Sequence, residues 1–158
     1  MTDLAVLNKQ LANMPPVAAM QIRASGFEGD VLSLSAPLAA NVNDKNCAFG
    51  GSMASLMTLA GWGWLMLKLR DAGLEAEVYV ADSDIRYLAP LYQDLNGQAR
   101  LRADQDWAAI LRCLAERKRA RVAMQVEMRN DAGVSVATLE ARFALKLVDP
   151  AAANQDRR

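Results

Sequence analysis

Apolar residues recur along this chain at two different spacings, and the switch between them marks the elements. In DLAVLNKQLANM (residues 3–14), Leu4, Leu7 and Leu11 fall at three- and four-residue steps, the period of a helix with one buried side. Pro15-Pro16 is expected to end that helix, since proline lacks the N–H that would continue it. VAAMQIRA then puts Met20, Ile22 and Ala24 on one side and Gln21 and Arg23 on the other, which predicts a half-buried strand. Phe27-Glu28-Gly29-Asp30 reads as a turn, and VLSLS as the returning strand.

The middle of the chain follows neither period. NVNDKNCAFGGSMASLMTLAGWGWLMLKL (residues 41–69) passes from a polar loop into about five helical turns with no charged side chain between Cys47 and Leu67. Beyond it, EAEVYVADSDIRYLAPLY and GQARLRAD alternate like strands. DWAAILRCLAERKR carries Trp107, Ile110, Leu111 and Leu114 at helical spacing. RVAMQVEMRN aligns Val122, Met124, Val126 and Met128, and 130–133 is a turn. VSVATLEARFALKLV then aligns Ala137, Leu139, Ala141, Phe143, Leu145 and Leu147. The order is helix, two strands, long apolar helix, then about four strands. One long helix wrapped by an antiparallel sheet of five to six strands is an α+β architecture. A single domain over residues 1–149 is expected, with a disordered tail at 150–158.

The uncharged run is long enough for a bilayer-spanning helix. Four glycines and three small hydroxyl residues dilute it, however, and the flanking half-polar strands need something apolar to cover. A helix apolar all round and enclosed by a sheet meets both needs, so a buried helix is expected rather than a span. Equal numbers of basic and acidic residues, 18 each, leave no excess to neutralise phosphates, so nucleic acid is not expected as a partner. Two cysteines without metal-ligand spacing and no signal-peptide pattern point to the cytoplasm.

The chain contains no histidine. That removes Ser-His and Cys-His nucleophiles and most catalytic zinc sites, so no metal and no cofactor is expected. The chemistry left available uses amides, hydroxyls, carboxylates, lysine and backbone N–H groups.

Three blocks, NxNDKxxAFGGS (residues 41–52), TLAGW (58–62) and DIRYLAPL (84–91), resemble the hotdog-fold putative thioesterase family. That family occurs alone or behind an acetyltransferase domain, and one branch decarboxylates malonyl-acyl carrier protein. The resemblance implies a hotdog fold, a homodimer and an acyl thioester substrate on acyl carrier protein or coenzyme A. Two positions depart from hotdog thioesterases with a His-Gly-Gly signature. Phe49 replaces their histidine, and Thr58 stands where their catalytic Asp or Glu would be.

These departures favour decarboxylation of a malonyl thioester over hydrolysis. Hydrolysis needs a base or a carboxylate nucleophile, and none occurs between Lys45 and Asp71, leaving Asp44 as the nearest. Decarboxylation needs only donors to the thioester oxygen in an apolar pocket. Gly50 and Gly51 can supply helix-start amides, with Ser55 and Thr58 four and seven residues beyond Gly51. Asn41 and Thr58 are the expected catalytic pair, with Asn43 as substitute for Asn41 and Phe49 at the substrate. The competing reading has Thr58 bonded to a carbonyl one turn back and the glycines there for packing. Arg117, Lys118, Arg119 and Arg121 are either a solvated helix end or a landing patch for a carrier protein or a coenzyme A phosphate. The carrier-protein thioester is the expected preference. A thioesterase and a non-catalytic acyl-thioester binding module are the alternatives.

Overall fold

The computed structural model describes residues 3–149, so the tail expected at 150–158 lies outside the described residues. The first helix, α1 (Leu4–Ala12), is capped by Asp3 and buries Leu7 and Leu11, as the spacing predicted. The Asn8 side chain then bonds both backbone groups of Ala24 and ties α1 to the sheet.

The expectation for the next segment is corrected. Pro15-Pro16 opens a helix, α2 (Pro15–Met20), because at the first helical positions the missing N–H has no bond to lose. Gln21 ends it in the left-handed conformation, and β1 begins only at Arg23 (Arg23–Glu28). The alternation in burial still holds, with Ile22 and Ala24 buried and Gln21 and Arg23 exposed. Backbone conformation, not side-chain facing, was misread. Gly29 and Asp30, both at positive φ, make the tight turn into β2 (Val31–Ala36), while Phe27 and Glu28 stay in the strand.

The uncharged run forms α3 (Gly50–Asp71), 22 residues long. Its buried residues cover most of the helix circumference, and the half-exposed stripe that remains is largely apolar, with Ala54, Leu59, Trp62 and Met66, which explains the lack of a charged face. No helix among the described residues is long and apolar enough to cross a membrane. Strands β3 (Ala76–Tyr87), β4 (Leu95–Leu101), β5 (Arg119–Arg129) and β6 (Ser135–Leu147) follow, with α4 (Trp107–Arg117) between β4 and β5. All pairings are antiparallel, in the order β1-β2-β4-β5-β6-β3. Six strands curved on one long helix make the hotdog arrangement that the resemblance implied.

Close approach sets where α3 lies. A Cβ added at Gly97 on β4 would come within 2.6 Å of Leu56, so only glycine lets the helix settle there. β1 and β3 are the two edge strands; β3 is hydrogen-bonded to β6 alone among the strands, and most of its residues are exposed on both faces.

Candidate active site at the start of the long helix

The loop before α3 is folded back on itself. Val42 bridges Ala48, Asn46 takes a positive φ at the bend, and the Phe49 N–H donates to the Asn41 carbonyl at 2.7 Å. Its far side is anchored by Ala48 N–H donating to the Leu91 carbonyl. The loop therefore delivers the chain to Phe49, the residue before the helix, in a fixed direction.

Phe49 caps α3 without a side-chain hydrogen bond, and the first intrahelical donor is the Met53 N–H, bonded to the Phe49 carbonyl at 3.0 Å. The amides of Gly50, Gly51 and Ser52 precede that bond and have no place in the helical ladder. They sit at the positive end of the helix dipole. The Phe49 ring, more than half exposed, lies across Gly51. From here a stripe of half-exposed residues, Ala54, Ser55, Thr58 and Trp62, runs down α3 at helical spacing. Among the described residues, none bonds the Thr58 hydroxyl, so the bond one turn back is not made.

The two asparagines are held differently. Asn41 is 3% exposed, and its amide donates at 2.8 Å to both the Met20 and Pro37 carbonyls. Its two hydrogens are spent, which corrects the expectation that it offers a donor to a ligand. Its Oδ1 is buried without a partner. Asn43 accepts the Lys45 and Cys47 N–H groups through Oδ1, closing an Asx turn, and its Nδ2 reaches only the Cys47 sulfur at 3.3 Å. Asn43 thus retains donor capacity that Asn41 lacks. Asp44 is exposed at the loop tip and pairs with its neighbour Lys45, turned toward solvent.

Tyr87 was not singled out by the sequence pattern, yet its O–H donates to the Gly50 carbonyl at 2.9 Å. Simple alternation would set Tyr79 and Tyr87 on the same face of β3. A bulge between Val80 and Asp82 shifts the register, so Tyr79 pairs with Ala144 on the outer face while Tyr87 pairs with Ala137 on the helix side. The signal was present only as the block that contains Tyr87.

The basic cluster lies apart from the helix start. Lys118, in the left-handed conformation, returns its Nζ to the Ala115 carbonyl and caps α4. Arg117, Arg119 and Arg121 instead line an open cavity of about 730 Å³ together with Lys146 and Tyr79. The β5–β6 register brings Lys146 there, directly opposite Arg119.

Residues 4–146 match the model of the family described as "Putative thioesterase (yiiD_Cterm)". The chain is similar to a putative thioesterase of Shewanella oneidensis of known structure, at 29% identity and TM-score 0.81. The match covers 92% of this chain and 97% of that one. A protein of unknown function from Chlorobaculum tepidum (24% identity, TM-score 0.83) and a probable thioesterase of Pseudomonas aeruginosa (20% identity, TM-score 0.76) share the fold, each over 92% of this chain and 97% of theirs.

Proposed function

The chain belongs to this putative thioesterase family, and from that premise we propose that it decarboxylates a malonyl thioester, carried on acyl carrier protein or coenzyme A, to the acetyl thioester. The bond between the malonyl carboxylate and the α-carbon breaks, and its electron pair moves onto the thioester as an enolate. CO2 leaves, and a proton from water restores the methyl group.

The observation that carries this reading is the character of the helix start. It combines backbone amides outside the ladder, hydroxyls at Ser55 and Thr58, and no carboxylate between Lys45 and Asp71. Donors aimed at the developing oxyanion stabilise an enolate, each by about 3–4 kcal/mol. A carboxylate in the Thr58 position would instead repel the malonyl group. In this reading the Gly50 and Gly51 amides donate to the thioester oxygen, Thr58, about 10 Å further along the helix, lies against the malonyl end, and the Asn43 amide and the Phe49 ring contact the substrate. Asn41 is a positioning residue that fixes the loop. The outward-facing ion pair of Asp44 argues against its use as a hydrolytic base.

The proposal includes a homodimer. β3 offers an unpaired edge of 12 residues bearing exposed Tyr79, Val80 and Tyr87, and such an edge is a template for another strand. A second copy there would also cover the half-exposed stripe of α3.

Incubation with malonyl, acetyl and long-chain acyl thioesters, following CO2 and free thiol separately, tests the activity. The expected result is CO2 without thiol, slowed about 10²-fold by Thr58→Ala and little by Asp44→Asn. Thiol release that spares malonyl groups and disappears in Asp44→Asn would establish the thioesterase instead. Binding of thioesters with neither product would leave only a binding module.

A further inference from the structure

The peptide group that joins Gly50 to Gly51 is bonded at one end and open at the other. Its N–H, on Gly51, is one of the helix-start donors outside the ladder. Its carbonyl, on Gly50, accepts the Tyr87 hydroxyl at 2.9 Å. A regular helix turns that carbonyl toward the N–H four residues on, and a carbonyl oxygen keeps a second lone pair for another donor. The preceding peptide, which carries the Gly50 N–H, has only the ladder bond from the Met53 N–H to the Phe49 carbonyl among the described residues. Of the two glycine amides, Gly51 alone belongs to a peptide with a side-chain donor on its carbonyl.

The backbone around Tyr87 is fixed for this contact. Tyr87 pairs with Ala137 on β6, and the next two N–H groups, of Leu88 and Ala89, donate to the Val136 carbonyl at 2.8 and 3.3 Å. Four residues beyond Tyr87, the Leu91 carbonyl accepts the Ala48 N–H at 2.8 Å. One short segment is therefore tied both to β6 and to the loop that delivers α3. The ring lies along the open side of Gly50, where a Cβ would stand 3.5 Å from Cε1, an unstrained contact. Because the side chain is more than half exposed, packing in the core does not account for its placement.

We infer that Tyr87 is a positioning residue of the thioester site, one that polarises the Gly50–Gly51 peptide and so strengthens the Gly51 N–H as a donor to the oxyanion. The inference rests on the helix-start reading above and separates the two glycine amides within it. A donor on the carbonyl draws electron density toward that oxygen and leaves the amide proton more positive, so the two hydrogen bonds reinforce each other. Such reinforcement is about 10–30% per bond, and an oxyanion donor is worth about 10²- to 10³-fold in rate. Together these assign the phenol hydroxyl about 2- to 8-fold. The benefit is greater for a developing oxyanion than for the neutral thioester carbonyl, so it falls on kcat rather than on KM. Hydrolysis also passes through an oxyanion, and Tyr87 would play the same part in it.

Tyr87→Phe should lower kcat about 2- to 8-fold at unchanged KM, with the oligomeric state of the parent. Replacing Tyr87 alone by tyrosines carrying one or two fluorines beside the hydroxyl keeps the ring contact and makes the phenol a stronger acid and donor. In mildly acidic buffer, where these phenols stay protonated, kcat should rise with each fluorine. Without any turnover, the Gly51 amide proton signal of isotope-labelled protein should move upfield in Tyr87→Phe and downfield along the fluorinated series, and the Gly50 signal much less. Thiol release in place of CO2 with the same dependence on the phenol would uphold Tyr87 while the decarboxylase reading fell. A kcat that is flat across the fluorinated series, or a Tyr87→Phe loss lying wholly in KM or in dimer content, would make Tyr87 a structural contact and overturn the inference. So would a Gly51 signal indifferent to the phenol, or one that follows it in a protein releasing neither CO2 nor thiol.

Discussion

A Cβ built at Gly51 would stand 2.5 Å from Cε1 of Phe49 and 2.9 Å from its Cζ. The ring has somewhere to go, since Phe49 is 55% exposed and lies at the end of a rotatable side chain. Swinging it away costs about 0.5–1.5 kcal/mol, and alanine over glycine in a helix returns up to about 1 kcal/mol. Gly51→Ala should therefore leave stability within about 1 kcal/mol of the parent, a urea midpoint shift of less than about 1 M. Turnover should respond quite differently. The methyl group and the displaced ring crowd the Gly50 and Gly51 amides, and losing one oxyanion donor costs about 10²-fold or more in rate. Gly97→Ala is the matched control. Its Cβ would meet Leu56 at 2.6 Å, and Leu56 is fully buried, so the strain stays in the core. Overpacking of that kind costs about 1–3 kcal/mol, while turnover per folded molecule should fall far less than in Gly51→Ala. Urea melts and CO2 release on both variants decide the matter. If Gly51→Ala keeps its rate, or melts earlier than Gly97→Ala, the glycine pair serves packing and the helix start is not where the chemistry happens.

Thr58→Asp should be slower on malonyl thioesters than Thr58→Ala, because it sets a like charge beside the substrate carboxylate; equal rates would remove charge from the explanation. Sedimentation should show a dimer that Val80→Lys shifts toward monomer, since a charge on a paired edge opposes strand addition; a parent protein already monomeric at micromolar concentration would refute the interface. The Arg142 guanidinium bonded to Asp82 holds that carboxyl below its usual range. The folded state thus binds the proton less readily than the unfolded chain, so this contribution is present near neutral pH and lost as pH falls through the lowered value. Thermal melts of the parent and Asp82→Asn should accordingly differ at neutral pH and converge in acid, and a constant gap would contradict the assignment.

Elements whose burial is local were readable from spacing. Leu4, Leu7 and Leu11 in α1 and the alternate residues of β5 and β6 each report one face, and the structure buries those faces. The long helix was readable for the opposite reason, because a helix enclosed on most sides needs no charged stripe. What could not be read depends on positions far apart in the chain or on a break in a local rule. Proline stops a helix in its interior but starts one at its first turn, and the pattern around Pro15 does not distinguish the two. Asn41 spends its amide on carbonyls 21 and four residues earlier, Met20 and Pro37, which only the folded loop brings near. One bulge residue in β3 decides that Tyr87 faces the helix and Tyr79 faces away. Lys146 joins the arginines only through strand register.

The strand order also carries a consequence for synthesis. β3 is third in sequence but hydrogen-bonds only to β6, the last strand, whose first residue lies 48 positions after the end of β3 (135 − 87). As the chain emerges from its N-terminus, β1, β2 and β4 can assemble on α3 while β3 waits with both edges open. An open strand at that stage is a hazard for association between nascent chains. The acids Glu77, Asp82 and Asp84 fall along this stretch and repel another copy of it. Once β6 arrives, Arg142 bonds Asp82 and part of that repulsion is cancelled. The edge is guarded by charge while the subunit is incomplete, and the guard is lowered by the final strand.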